Sequence, residues 1–404
     1  MKLFQRLLVA PAALGLLAPL ATNASEVNFN EISAYSDVES IDFANSFNDK
    51  DSNETKLLAG GEGLVDDTSS FGDGFSETTT ASFSADFMLG GIDNEATADT
   101  GDTGNGGQSV MGAYSFQIDL NTSFTGEDSL DISIDAGNSG SAGVAEFDGN
   151  GSGDTLMVDG VSYTFPIGAK TTAFVGDNTD GSLLFDTACV YGGPSNTLDD
   201  CGNNYSAINA GGGAAFGASY DVGNGFTTAF GYTGTNTGLM TEEGDDAYAA
   251  QVTYSGDNYG VSFTYAYKEN PTFTQVVTDA DVYGLNAYYS PEGEGLPSIS
   301  VGYETATSDI PELSTTTNID SSAWFIGFSW DEVGPGSAGL AVGTKQHTVD
   351  SDDTSVDDEL LMYEAYYSYE LNDGMTITPL IYTKEFASGT EDETGVMVKT
   401  SFSF

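Results

Sequence analysis

Basic side chains are almost missing from this chain. Lys and Arg together number nine against 62 Asp and Glu in 404 residues, a formal net charge of −53, and the one arginine, Arg6, lies at the N-terminus. A field of that sign repels nucleic acid and anionic lipid, so neither is expected as a partner. Strong acidity often accompanies disorder, but disorder goes with few aromatics, and 21 Tyr and 24 Phe point to extensive ordered apolar burial. Two other origins of the charge stay open beside any role in transport: solubility in salty surroundings, and low use of nitrogen-rich side chains.

Histidine is limited to His347, and no serine stands in a Gly-x-Ser-x-Gly elbow. Nucleophilic catalysis needs a base held by a positioned partner, so no enzyme is expected. His347, after the strand-like Leu340, Val342 and Thr344, is expected in a loop or at a rim. Cysteine is limited to Cys189 and Cys201, twelve positions apart in a stretch rich in Gly, Asn and Asp. Two thiols without a neighbouring His lack the ligands for zinc. In an exported chain a disulfide pinning a surface loop is expected instead. Asp148-Gly149-Asn150-Gly151-Ser152-Gly153-Asp154 alternates oxygen donors with glycine like the start of a calcium loop, yet it lacks the distal bidentate Glu, and a solvated loop is expected. No metal or cofactor is therefore expected.

Long apolar runs are also missing, since past the N-terminus nothing approaches the roughly 20 residues of a membrane helix. Met1 to Arg6 is basic, Leu7 to Leu20 is apolar but broken by Pro11 and Pro19, and Thr22-Asn23-Ala24 precedes Ser25. That pattern predicts a signal peptide over 1–24, hence export. Residues 25–78 are acidic without a sustained period and are expected as an irregular periplasmic lead-in.

What is present, from about Thr79 to the end, is alternation. Tyr248, Ala250, Val252 and Tyr254 share one parity; a turn at Ser255 to Asn258 follows; then Tyr259, Val261, Phe263, Tyr265 and Tyr267 share one parity again. Successive strand side chains point to opposite faces, so each such run is a strand with one apolar face. The same grammar gives hairpins at Phe216–Tyr232, Tyr283–Tyr303 and Leu361–Ile381, and a strand through Trp324, Ile326, Phe328 and Trp330. The chain closes on another, with Val396, Val398, Thr400, Phe402 and Phe404 on one face. Connections alternate between short Gly/Asn/Asp turns and longer acidic loops, such as Thr233 to Asp246, Glu269 to Ala280, Thr305 to Ser321 and Thr348 to Glu359.

Short turns on one rim, long loops on the other and aromatics at strand ends predict an all-β, transmembrane, antiparallel up-and-down barrel over 79–404 in the outer membrane. At roughly 20 residues per strand with its share of loop, that length allows about 16 strands, within a range of about 14–18. Such a barrel leaves an aqueous channel, so passive diffusion of small hydrophilic solutes is the expected function. Two alternatives are a barrel with a narrow or plugged lumen that mainly binds a ligand or surface partner, and an exported soluble β-sandwich.

The string Leu120-Asn121-Thr122-Ser123-Phe124-Thr125-Gly126-Glu127-Asp128-Ser129-Leu130 resembles the L-N-T-S-F-T-G-x-D-x-L hairpin of the carbohydrate-selective porin family, particularly its cyanobacterial major outer-membrane branch. Glu31 to Ser36, the loop from Thr187 to Gly202, and Leu371-Asn372-Asp373-Gly374-Met375-Thr376-Ile377-Thr378-Pro379 are similar to that branch too. Its members normally carry a surface-layer-homology domain and a helical stretch after the lead-in, and here Leu58 to Thr78 passes almost directly to the barrel. The resemblance implies a porin for sugars, small solutes or inorganic ions, and it is compatible with the homotrimers common among porins.

Polar-parity residues supply the pore-lining candidates: Gln251, Thr253, Ser262, Thr264, Glu364, Ser368, Glu370, Lys399, Ser401 and Ser403, with Lys268 and Lys384 near strand ends. The lipid-facing candidates are Tyr259, Val261, Phe263, Tyr265, Tyr267, Trp324, Ile326, Phe328, Trp330 and Phe402. Anion pores use rings of Arg or Lys and cation pores Asp and Glu, so weak cation preference is expected. The terminal Phe404 is expected to be the signal read by the barrel-assembly machinery.

Overall fold

Alternating strands with Gly and Asn at the reversals satisfy their backbone groups only by lateral pairing, and a sheet bathed in lipid can leave no edge. The computed structural model describes residues 79–93, 110–139, 147, 149–198, 201–203, 213–241, 244–269, 279–293, 295–310, 317–351, 357–386 and 392–404. The expected signal peptide and lead-in lie outside them.

The strands, in chain order, are β1 (Thr79–Asp93), β2 (Val110–Thr122), β3 (Ser129–Gly137), β4 (Met157–Ile167), β5 (Thr171–Asp177), β6 (Ala214–Gly223), β7 (Phe226–Gly234), β8 (Asp246–Ser255), β9 (Tyr259–Glu269), β10 (Asp279–Tyr289), β11 (Ser298–Ile310), β12 (Thr317–Val333), β13 (Gly336–Thr344), β14 (His347–Ser351), β15 (Leu361–Asn372), β16 (Met375–Lys384) and β17 (Glu393–Ser403). All pairings are antiparallel, and β1 pairs with both β2 and β17, which closes the sheet. β14 continues β13 along the same neighbour, β12, so the barrel has sixteen strands. No second sheet packs on it among the described residues, which removes the sandwich alternative.

Burial runs inside out. On β8 and β9 the apolar Val252, Phe263 and Tyr259 are 49, 48 and 45% exposed, whereas Gln251, Thr253 and Ser262 are 3, 2 and 1% exposed. A water-soluble protein does not display so much contiguous apolar surface. Cross-strand register gathers the outer aromatics into two zones. Phe226, Tyr254, Tyr259, Tyr289, Phe328 and Phe402 lie towards the short-turn rim; Tyr248, Tyr265, Tyr267, Tyr283, Tyr303 and Trp324 lie towards the long-connection rim. Between them sit Val261, Leu285, Val301 and Ile326. Polar ends of the second zone are tied down. Tyr265 donates to Asp281 at 2.6 Å, Tyr267 to Asp279 at 3.2 Å, and the Trp324 indole to Glu359 at 2.6 Å. This is how amphipathic rings behave at a headgroup layer.

Two expected loops are shorter than the sequence suggested, because β11 runs on to Ile310, β12 begins at Thr317 and β14 takes up His347–Ser351. Thr and Ser in these segments tolerate a pleated edge as readily as a loop. His347 sits half-buried at the start of β14, its Nδ1 3.0 Å from the Lys345 carbonyl.

The string that resembles a porin-family hairpin, Leu120 to Leu130, is a turn built around one carboxylate. Between β2 and β3, Asp128 Oδ1 accepts from Ser123 Oγ (2.8 Å), Phe124 N (3.0 Å), Thr125 N (2.7 Å) and Thr125 Oγ1 (2.7 Å), and Oδ2 accepts from Tyr163 of β4 at 2.7 Å. The Tyr163 hydroxyl, with the Thr125 and Ser123 donors, holds the Asp128 carboxyl well below the usual carboxylate range. A depressed pKa gives stability that is full above the unfolded value, about pH 4, and is lost as pH falls through the folded one. Protection of the Phe124 and Thr125 amides, taken relative to their intrinsic exchange at each pH, is therefore expected to fall on acidification below about pH 4. Asp128→Ala should show fast exchange at every pH, and Asp128→Asn, which keeps the Oδ1 acceptor, a smaller effect. Equal, pH-independent protection in all three proteins would refute this account.

Candidate functional site

Inside the barrel, the connection between β5 and β6 leaves the long-connection rim and crosses the lumen. Its descent is written in hydrogen bonds to the inner wall. Gly181 N donates to Thr233 Oγ1 (2.7 Å), Asp186 N to Gln251 Oε1 (2.7 Å), Ala188 N to Ser262 Oγ (2.9 Å), and Val190 N and Tyr191 N both to Ser300 Oγ (3.0 and 3.1 Å). Asp186 also takes the Thr253 hydroxyl on its carbonyl and Ser255 Oγ on its carboxylate, so the segment reaches the short-turn end of β8. The tip, Tyr191 to Leu198, then packs against Phe325, Ala341 and Met362 of β12, β13 and β15. On the way back Asn286 Nδ2 donates to the Cys201 carbonyl (3.0 Å), and Asn203 Nδ2 to Asn286 Oδ1 (2.8 Å).

The disulfide Cys189–Cys201 forms, and it pinches the neck of this hairpin. The expectation of a surface loop is corrected: Cys201 is 4% exposed and Tyr191 5%, both inside the barrel. Apolar residues set in a Gly-, Asn- and Asp-rich stretch, namely Phe185, Tyr191 and Leu198, were the available signal, since a solvated loop has no use for them. The wall receives the hairpin because it is low there. A Cβ at Gly302 on β11 would collide with the Cys201 carbonyl, so only glycine lets the two backbones lie together.

A second segment, between β3 and β4, also turns inward. Phe147, fully buried, joins Met88, Ala113, Leu380, Tyr382 and Met397 on the inner faces of β1, β2, β16 and β17. Asn150, expected in a solvated loop, is 3% exposed, with its N–H on Ser115 Oγ (3.1 Å) and its carbonyl receiving both the N–H and the hydroxyl of Ser139 (3.1 and 2.9 Å). Its side-chain amide donates to the Phe116 carbonyl of the wall at 3.4 Å.

These segments decide what the sequence-derived candidates touch. Gln251, Thr253, Ser262, Thr264 and Glu364 all project inward and are buried; Gln251, Thr253, Ser262 and Glu364 bond the hairpin directly, and Thr264 accepts from the Gln251 amide. Ser368, hydrogen-bonded to Thr378 at 3.0 Å, and Ser401 are half-buried on the inner face, and Glu370 is exposed near the short-turn rim. Lys268 and Lys384 share that inward parity towards the long-connection rim, Lys384 being 7% exposed and 5.4 Å from the Tyr382 ring. Ser403 is exposed at the end of β17. Tyr259, Val261, Phe263, Tyr265, Tyr267, Trp324, Ile326, Phe328, Trp330 and Phe402 lie on the outer face, exposed or half-buried.

The inner wall of β1 to β3 is acidic. Asp86, Asp119 and Asp131 are half-buried there, knit by Gln117 and Ser133 donating to Asp119 (2.5 and 2.7 Å) and Asn121 and Ser129 donating to Asp131 (2.5 and 2.8 Å). Lys399 is the cation beside them, 3.9 Å from Asp86 and donating to the Phe147 carbonyl at 3.4 Å. The hairpin adds Asp186, exposed, and Asp180, whose carboxyl is pushed up by burial against the opposing pull of the Ser182 donors and, less, of Lys268.

No protein-family model and no curated protein sequence matches the chain. Solved structures do. OprB of Pseudomonas putida superposes with a TM-score of 0.58 at 10% identity over 81% of this chain and 94% of that one. An anion-selective porin from Comamonas acidovorans gives 0.54 at 12% identity over 81% and 99%. A loop-deletion mutant of OmpT, an outer-membrane protein of Vibrio cholerae, gives 0.54 at 9% identity over 81% and 99%. This closed sheet of sixteen strands therefore has the fold of outer-membrane porins.

Proposed function

We propose that the chain is an outer-membrane porin through which small hydrophilic solutes, sugars and inorganic ions among them, diffuse passively with a weak preference for cations. One observation carries it: a closed sheet, apolar outside and polar inside, whose lumen is narrowed by a hairpin fixed to the wall along its length. A barrel of this strand number is too wide for its own side chains to fill, so an inward segment is what turns a wide hole into a sieve. The acidic wall and Asp186 face the same lumen as Lys399 and favour cations. Fold alone does not fix that sign, since one of the similar structures is anion-selective.

Lipid on the outer face, delivery by the barrel-assembly machinery and homotrimer formation belong to the same reading. It is tested by swelling of protein-loaded liposomes in sugars of graded size and by reversal potentials across a planar bilayer in a salt gradient. Size-graded swelling and a cation-directed potential are expected. An anion-directed potential would remove the charge assignment. Absence of swelling in the smallest sugar would favour a plugged, binding barrel, for which the second inward segment around Phe147 is the supporting observation.

A further inference from the structure

Most contacts between hairpin and wall are neutral hydrogen bonds to Ser and Thr hydroxyls, but the tip is held differently. Glu364, 3% exposed on the inner face of β15, accepts the Tyr191 hydroxyl on Oε1 at 2.5 Å and the Ser195 hydroxyl on Oε2. Ser195 Oγ in turn receives Thr197 N at 3.1 Å, and the neighbouring Tyr366 donates to the Gly192 carbonyl at 3.0 Å. A Cβ at Gly193 would strike Glu364 Oε1, so the backbone at the tip is closed down on the carboxylate. Burying a carboxylate is costly unless donors meet it, and hydrogen bonds to an ionised acceptor are roughly twice as strong as neutral ones. A glutamate at this place on the wall therefore stabilises the protein only while the tip is docked.

We propose that Glu364 is a positioning residue for permeation, latching the tip of the lumen hairpin through Tyr191 and Ser195 and so setting the largest solute that passes. This rests on the diffusion reading above. The latch sits across the lumen from the hairpin's point of departure at β5, so its release frees the part of the hairpin furthest from the covalent connection.

The test compares wild type, Glu364→Ala, Glu364→Gln and the Tyr191→Phe/Ser195→Ala pair in proteoliposomes, measuring swelling in a trisaccharide relative to a monosaccharide. Folding is checked by the heat-dependent shift in gel mobility. The ratio should rise severalfold for Glu364→Ala and for the pair. It should rise less for Glu364→Gln, which keeps one acceptor oxygen, and combining the pair with Glu364→Ala should add nothing. A loss of barrel stability alone would change the folded fraction and leave the ratio fixed. If Glu364→Ala does not fold, the pair, which leaves the wall intact, decides. A wild-type ratio in folded pair variant overturns the latch. Should wild type pass no sugar while the variants do, the latch stands and open diffusion fails; should none pass any, both fail.

Discussion

Serine at both positions 189 and 201 is expected to leave the barrel folded and to turn a steady conductance into a larger and noisier one. The cross-link joins the two legs of the lumen hairpin at its neck, twelve positions apart, and neither cysteine belongs to a barrel strand. Closing a loop of about that length restricts its open states by roughly 3 kcal/mol in the chain-entropy account, a large share of what holds a short segment. With the link gone, Ala188 N on Ser262 and Asn286 on the Cys201 carbonyl must hold the legs, each an ordinary hydrogen bond of about 1 kcal/mol. Single-channel recordings in a planar bilayer check this, with reductant on the wild type as the chemical equivalent, entering from the half-buried Cys189. Identical conductance and open-channel noise in wild type, reduced wild type and the double serine variant would show that the neck needs no covalent tie.

The barrel was legible in the sequence, and its contents were not. Parity is a local property, so Tyr259, Val261 and Phe263 on one side and Ser262 and Thr264 on the other could be assigned strand by strand. The length of 79–404, at roughly 20 residues per strand with its share of loop, then set the strand number to within its even neighbours. Parity says which way a side chain points, but not what it meets. Ser262 reads as pore lining because serine is polar; in the structure its hydroxyl, like that of Ser300, accepts a backbone N–H of the lumen hairpin, a segment more than a hundred residues away for Ser300. Such pairings carry no period. The same limit applies to Glu364. Its inward direction follows from Tyr363 and Ala365 beside it, while its partners Tyr191 and Ser195 depend on where a long connection turns, which no local pattern records. The glycine at 302 and the aromatics of the hairpin were visible as oddities of composition, and they become interpretable only once placed in contact.

Deleting Phe404 is expected to lower the amount of barrel assembled in the outer membrane severalfold without changing the conductance of the molecules that do insert. The residue ends the seam that closes the sheet. Phe404 N donates to the Phe83 carbonyl at 3.0 Å and Phe83 N to the Phe404 carbonyl at 2.9 Å, and the two rings stack with centroids 5.8 Å apart. Beyond it the seam keeps a register from Ser84 opposite Ser403 to Asp93 opposite Thr394. Losing the last pair therefore removes two backbone bonds of about 1 kcal/mol each and leaves the ten-pair ladder beyond it in place. That is too small to open the barrel. Among the described residues, the lumen hairpin is bonded to the walls of β7 to β15, away from this end of β17. A large effect on assembly must then come from a step before closure, when the ring, 76% exposed even in the folded barrel, is available to another protein. Phe404→Tyr, which keeps the ring and the backbone pair, should assemble like wild type, and Phe404→Ser, which keeps the backbone pair alone, should fail like the deletion. Quantifying heat-modifiable protein in outer-membrane fractions separates these outcomes. Wild-type levels for the deletion, or equal loss in the tyrosine and serine variants, would show that assembly does not read the terminal ring.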